Sequence, residues 1–183
     1  MASQDFRNKN EEFIRMAKET NPDFFEELKN GQSPEYFVLS CSDSRVSPSV
    51  ITQLPLGQMF VHRNIANQVV AADESFAASL FFAIRHLKVK KIIIKGHTSC
   101  GGVKAAMERN HEKELQKWVS HIQESLPTNF ETESMDLDEL SKQNVLRQVK
   151  KLKKHPIYIK YGQNVEVQGY LFHVESGELE RLA

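Results

Sequence analysis

The chain has only two cysteines, and each follows a short apolar run in a polar segment: Cys41-Ser42-Asp43-Ser44-Arg45 and His97-Thr98-Ser99-Cys100-Gly101-Gly102. Thiolate and imidazole are ligands that zinc prefers, and a catalytic zinc keeps three protein ligands while leaving one position for water or substrate. Cys41, His97 and Cys100 supply that count, and Asp43 stands close enough in sequence to enter or regulate the fourth position. Free cysteines also pack as small hydrophobes, and a pair can form a disulfide. A packing cysteine, however, needs neither Asp and Arg directly behind it nor a His shortly before it. No signal peptide is visible and cysteine use is sparse, which suits a reducing compartment better than a disulfide.

The elements that must position these residues are legible from periodicity. Tyr36 to Ser40 reads as a buried strand ending where Cys41 begins, and Met59 to His62 as a second. Ala77, Leu80, Phe81, Ile84 and Leu87 form an apolar stripe at helical spacing between Asp73 and Leu87. Ile92-Ile93-Ile94 is a β-branched run too short for a helix, which Gly96 ends. Helix resumes after Gly101-Gly102, with further amphipathic stretches near Glu112 to Ser125 and Leu137 to Lys154, bounded by Pro127 and Pro156. Thr128 to Glu133 between them is the least structured part. Val165, Val167 and Leu171-Phe172 suggest a last strand with Gly177 in a turn behind it. Strands alternating with helices predict an α/β domain, a central mostly parallel sheet flanked by helices, over residues 31–183. Residues 1–30 read as a helical arm of two pieces, with Phe6, Phe13, Ile14 and Ala17 at helical spacing, Asn21-Pro22 starting the second piece and Gly31 stopping it. In such sheets the functional crevice lies beyond the carboxyl ends of the strands. If the strands before Cys41 and His97 are neighbours, the ligands converge.

Composition excludes several classes. The chain of 183 residues carries 24 Lys plus Arg and 24 Asp plus Glu, so no excess charge marks a nucleic-acid or anionic-membrane partner. Lys150-Lys151-Leu152-Lys153-Lys154 sits at a helix end, where cations suit the macrodipole. No apolar stretch approaches the roughly 20 residues of a membrane-spanning helix. A soluble, cytoplasmic protein is expected.

Three blocks in order, Cys41-Ser42-Asp43-Ser44-Arg45-Val46, His62-Arg63-Asn64-Ile65-Ala66-Asn67 and Gly96-His97-Thr98-Ser99-Cys100-Gly101-Gly102-Val103, resemble the β-class carbonic anhydrases. The likeness is strong from Gly31 to Met107 and weaker over Asn164 to Leu179. It implies an enzyme interconverting carbon dioxide and bicarbonate, with one zinc per chain on Cys41, His97 and Cys100. Bound zinc lowers the pKa of its water from about 15.7 to about 7, the established value for this reaction. Two thiolates donate more charge than imidazoles and oppose that drop, so the hydroxide must be well positioned. Asp43 and Arg45 are the candidates. Asp43 either binds zinc itself or pairs with Arg45 and accepts the hydroxide's proton; an exposed ion pair is the plain alternative.

The resemblance carries further residues. Gln32, in Gly31-Gln32-Ser33-Pro34, matches a glutamine whose amide donates to a substrate oxygen. Phe60, Ile65 and Phe82 match positions lining the apolar part of the pocket, with Gly101 and Gly102 beside it; ordinary core packing is the competing reading for the three apolar residues. The family usually has Tyr where Phe82 stands, and some members hold an inhibitory bicarbonate with that Tyr and a Trp near Val38, a site this chain therefore lacks the residues to build. Tyr170 replaces a frequent Trp. His86 is the candidate proton relay, and a surface helix position explains it equally. In the family the pocket forms at a dimer interface wrapped by the N-terminal arm, so a homodimer is expected, with a dimer of dimers as the larger form. Two alternatives share these residues: a related zinc hydrolase acting on carbon disulfide or carbonyl sulfide, and a non-catalytic zinc-binding regulatory protein in which Asp43 closes the fourth position.

Overall fold

Short runs rich in Val, Ile and Phe form the strands, because branched and aromatic side chains fit a pleated surface. The computed structural model describes residues 5–127 and 135–183. Its strands are β1 (Tyr36–Cys41), β2 (Met59–Asn64), β3 (Lys91–His97), β4 (Glu166–Phe172) and β5 (Leu179–Arg181), in the spatial order β2-β1-β3-β4-β5. The first four are parallel and β5 is antiparallel to β4, the mostly parallel sheet expected. The helices are α1 (Phe6–Thr20), α2 (Phe24–Lys29), α3 (Pro48–Thr52), α4 (Glu74–Arg85), α5 (Gly101–Met107), α6 (Lys113–Gln123), α7 (Leu137–Lys153) and α8 (Pro156–Tyr161).

The chain divides into two compact units, Met1–Gln32 and Ser33–Ala183. In the first, α1 ends at Asn21 and α2 is capped by Asp23. Asn21 is thus the end of the first piece rather than the start of the second; its side chain accepts from the Asp23 N–H at 3.0 Å. Phe13, Phe24 and Phe25 meet edge to face, with centroids 5.1 to 6.4 Å apart.

In the second unit, alternate residues of β1 and β3 (Phe37, Leu39, Ile92, Ile94) bury one sheet face against Phe76, Leu80 and Ala83 of α4 and Val145, Val149 and Leu152 of α7. Each such side chain contributes about 1.5–3 kcal/mol when fully buried. Helix α4 starts at Asp73, whose carboxylate accepts from the N–H groups of Ser75 and Phe76 at 3.0 and 3.1 Å. Helix α7 carries Lys150, Lys151 and Lys153 in its last turn, at the negative end of its dipole. A second, smaller cluster lies at the carboxyl end of the sheet: Cys41, Val46, Ala66, Cys100, Val103, Val119, Ile122, Leu140 and Phe172.

Three local readings differ from the structure. β3 runs through Gly96 to His97, because it keeps pairing with β4 as far as His97 opposite Phe172. Pro156 begins α8 rather than merely closing α7; His155 is its N-cap, accepting from the Ile157 N–H at 3.3 Å. β5, three residues long, carries no periodic signal and exists by pairing with β4. The segment Thr128 to Glu133 lies outside the described residues.

Candidate metal centre

β1 and β3 pair side by side up to Ser40 opposite Lys95, so the chain leaves both strands at the same edge of the sheet. Cys41 is the last residue of β1, His97 the last of β3, and Cys100 the N-cap of α5. This is where connections from β1 diverge to either side, the place an open α/β sheet forms its crevice. One donor atom from each residue lies within 4.8 Å of the other two, and all three residues are buried. The two sulfurs are 4.0 Å apart and unbonded.

The donor chemistry fits a cation. The Thr98 carbonyl can only accept, so the 2.8 Å contact from His97 Nδ1 puts the proton there and leaves a lone pair on Nε2. Nε2 is buried and, among the described residues, has no hydrogen-bond partner. The two sulfurs share one hydrogen bond. The hydrogen bond from Cys100 pulls Cys41 down to about 4 against its burial, helped by His97 and the Asp43 backbone, and the same bond pushes Cys100 up. The second proton leaves when a cation replaces it. Two thiolates and an imidazole with a fixed tautomer are the donor set of a zinc site with an open position.

Around the ligands, side chains hold the backbone. Asp43 caps the turn Ser44–Val46 and grips Arg45 through both oxygens. Oδ1 accepts from Arg45 N at 2.9 Å and Nε at 3.0 Å, and Oδ2 accepts from Nη2 at 2.7 Å. Oδ2 also lies 3.8 Å from His97 Nε2. The Arg45 hydrogen bonds hold the Asp43 carboxyl well below the usual carboxylate range. Arg45 Nη2 reaches on to the Ser99 carbonyl at 3.2 Å. Arg63, quoted in a sequence block but assigned no role, donates from Nε to the Cys41 carbonyl at 2.9 Å and from Nη2 to the Asp43 carbonyl at 2.7 Å. Ser99 takes a left-handed conformation, φ 53°, with its N–H on Asp138 Oδ1 at 2.7 Å. Asp138 carried no signal beyond a helix start.

Comparison with known proteins matches the family model described as carbonic anhydrase over residues 36–179. A crystal structure of a β-carbonic anhydrase from Aspergillus fumigatus superposes with a TM-score of 0.89 at 35% identity, over 96% of this chain and 88% of that one. This chain belongs to the β-carbonic anhydrases. A carbonic anhydrase of Emericella nidulans is 35% identical over 182 residues, spanning 94% of this chain and 80% of the relative. One of two tetrameric β-carbonic anhydrases from Sordaria macrospora aligns at a TM-score of 0.86 and 30% identity, over 96% of this chain and 94% of its own.

As in any β-carbonic anhydrase, the family reaction is hydration of carbon dioxide, and the clustered Cys41, His97 and Cys100 suit the metal. The remaining residues singled out from sequence fall in different surroundings. Phe60 packs at the edge of the main core, its ring 5.8 Å from that of Phe82. Phe82 is 42% exposed and Ile65 41%, so neither is a core residue. His86 stacks on Phe82 at 5.0 Å. Gly102 is a packing site as well: a Cβ there would lie 2.6 Å from Ile65 Cγ2 and 3.1 Å from Ala66 Cβ, whereas one on Gly101 would meet nothing within 4 Å. Gln32 belongs to the N-terminal unit. Among the described residues no helix is long and apolar enough to cross a membrane.

Proposed function

We propose that this β-carbonic anhydrase holds one zinc on Cys41, His97 and Cys100 and uses Asp43 and Arg45 to convert carbon dioxide and water reversibly to bicarbonate and a proton. The observation that carries the reading is the buried triad, with donor atoms within 4.8 Å of one another, standing beside a carboxylate whose two oxygens are both taken by one guanidinium. Zinc at such a site supplies an ionised water near neutral pH.

What the side chains contribute follows from their hydrogen bonds. Asp43 Oδ1 already accepts two bonds and Oδ2 one, so Oδ2, the oxygen nearer His97 Nε2, has capacity to accept the hydroxyl hydrogen of the nucleophile. That bond aims a lone pair at the substrate carbon. Arg45 fixes the carboxylate plane and keeps Asp43 charged. Phe60, Ile65 and Phe82 are proposed as the apolar wall suited to a substrate without a dipole, with Gly101 leaving room beside the triad and the Gln32 amide donating to a substrate oxygen. Proton export is assigned to His86, whose ring meets those of Phe81 and Phe82; water must carry the proton to it. A homodimer or a dimer of dimers, in the cytoplasm, completes the reading.

Stopped-flow hydration of carbon dioxide on protein of known zinc content tests it. Turnover is expected to track zinc occupancy up to one metal per chain. Zinc-loaded protein that is inert toward carbon dioxide would overturn the assignment. Turnover of carbon disulfide or carbonyl sulfide by that protein would establish the related hydrolase instead, and inertness toward all three a regulatory role.

A further inference from the structure

The turn that follows β2 pairs two left-handed residues, Ala66 (φ 60°, ψ 29°) and Asn67 (φ 48°). Neither is glycine, and L-residues rarely take this conformation because Cβ crowds the following carbonyl. The Ala66 N–H donates to Cys41 Sγ at 3.3 Å. An unfavourable backbone conformation therefore aims an amide at one sulfur of the candidate metal centre.

What holds that turn is a closed network of buried amides. Asn144 Nδ2 and Gln68 Nε2 both donate to the Ala66 carbonyl, at 3.0 and 2.8 Å. Asn144 Oδ1 accepts from Gln68 Nε2 at 2.8 Å and from Gln148 Nε2 at 2.9 Å, and Gln148 Nε2 also reaches Gln68 Oε1 at 3.0 Å. Gln148 Oε1 accepts from the Val69 N–H at 2.8 Å, anchoring the chain just beyond the turn. Gln68, Asn144 and Gln148 are each at most 1% exposed, and each of their side-chain nitrogens and oxygens has a hydrogen-bond partner. Buried amides are costly unless fully paired, and a helix such as α7 could have packed with apolar residues here. The network converges on the backbone on both sides of Asn67.

We infer that Asn144 and Gln148 are positioning residues for the metal centre: through Gln68 they lock the Ala66–Asn67 turn so that the Ala66 amide stays bonded to the Cys41 thiolate. This rests on Cys41 being a metal ligand, as proposed above. An N–H donor draws charge from the sulfur, so Cys41 gives less of it to the cation. The cation then remains a stronger Lewis acid than two bare thiolates would leave it, and the ligand stays correctly oriented.

The test is Gln148→Met, which keeps the length of the side chain and removes its hydrogen bonds, read on cobalt-substituted protein and by chelator competition for zinc. Weaker hydrogen bonding raises the energy of the sulfur lone pairs, so the thiolate-to-cobalt charge-transfer band is expected to move to longer wavelength. The freed turn also leaves the Cys41 sulfur less well oriented, and that loss outweighs the stronger donation of a barer thiolate, so zinc affinity is expected to fall about 10-fold or more. Adding Ala66→Gly, which relieves the left-handed turn of its steric cost, is expected to move the band and the affinity back toward those of the unsubstituted protein. A purely structural network would not show that recovery. If Gln148→Met yields no folded protein, Asn144→Ser is read in the same way. Unshifted band and affinity in the folded variant, or a shift indifferent to Ala66→Gly, overturns the inference. Absence of any thiolate band in the cobalt-loaded unsubstituted protein overturns the metal-site reading itself.

Discussion

Cys41, His97 and Cys100 are expected to bind zinc as a unit, because each loses its buried partner if another is removed. Cys41→Ser or Cys100→Ser should strip most of the metal, measured as zinc per folded chain; full occupancy in Cys100→Ser would remove that residue from the ligand set. Asp43 and Arg45 are proposed to act differently. Their side chains meet through two hydrogen bonds at 3.0 and 2.7 Å, and neither residue is in the triad. Asp43→Ala and Arg45→Ala should each lower hydration by about 10²-fold or more while zinc is retained. If the pair works as one device, the double variant loses much less than the two single losses combined. Additive losses in stopped-flow rates would separate the two residues. That Cys41, His97 and Cys100 cluster, and that Asp43 meets Arg45, was legible in sequence from residue types at the ends of two strand-like runs and from the short spacing of the pair. Arg63 and Asp138 were not, because an arginine holding two carbonyls and an aspartate holding one amide look like any other polar residue until the loops they hold are folded.

Two elements carry predictions of their own. Helix α5 begins with two glycines that sequence treats alike, yet a Cβ on Gly102 would run into the turn after β2 and one on Gly101 would meet nothing within 4 Å. Gly102→Ala should cost about 1–3 kcal/mol, as overpacking does, while Gly101→Ala should be neutral or stabilise by up to about 1 kcal/mol. Urea denaturation of both variants checks the contrast, and equal effects would refute it. A loss of activity in the stable Gly101→Ala protein would report crowding of the open side. Beyond β4, His173 donates to Glu180 at 2.9 Å and meets Glu175 at 3.2 Å, and these carboxylates, Glu180 first, raise its pKa. A raised folded pKa stabilises fully below the ordinary His value of about 6.5 and fades as pH rises through the folded value. The midpoint difference between the unsubstituted protein and His173→Gln should therefore be widest near pH ~6 and narrow by pH ~9; a gap that widens with pH would contradict the pairing.

At the scale of the whole molecule, the N-terminal residues form a compact unit of their own. Within α1 no residue is buried, and Phe6 and Met16 are exposed at 93% and 55%. Apolar side chains along one face of a helix call for a surface to cover them. Deleting residues 1–30 should lower both the oligomeric mass, read by light scattering, and the hydration rate. A monomeric and fully active truncation would show that the arm has no part in assembly or catalysis.

Sequence by itself determined which groups are present and what local structure surrounds them. Hydrophobic period and cap chemistry depend on neighbours in the chain, so β1, α4 and α7 were legible to within a residue or two, and β3 was legible apart from its last residues. Tertiary structure alone decided that β1 and β3 lie side by side. Pairing of parallel strands is fixed by packing of the crossover helices on the sheet, and no local pattern encodes it. The same holds for β5, which exists only through β4, and for the amides of Asn144 and Gln148, whose partners in the segment from Ala66 to Val69 lie more than 70 residues away along the chain. Their hydrogen bonds become available only once α7 has docked beside the turn at Ala66, because a buried amide is defined by what surrounds it and not by its place in the chain.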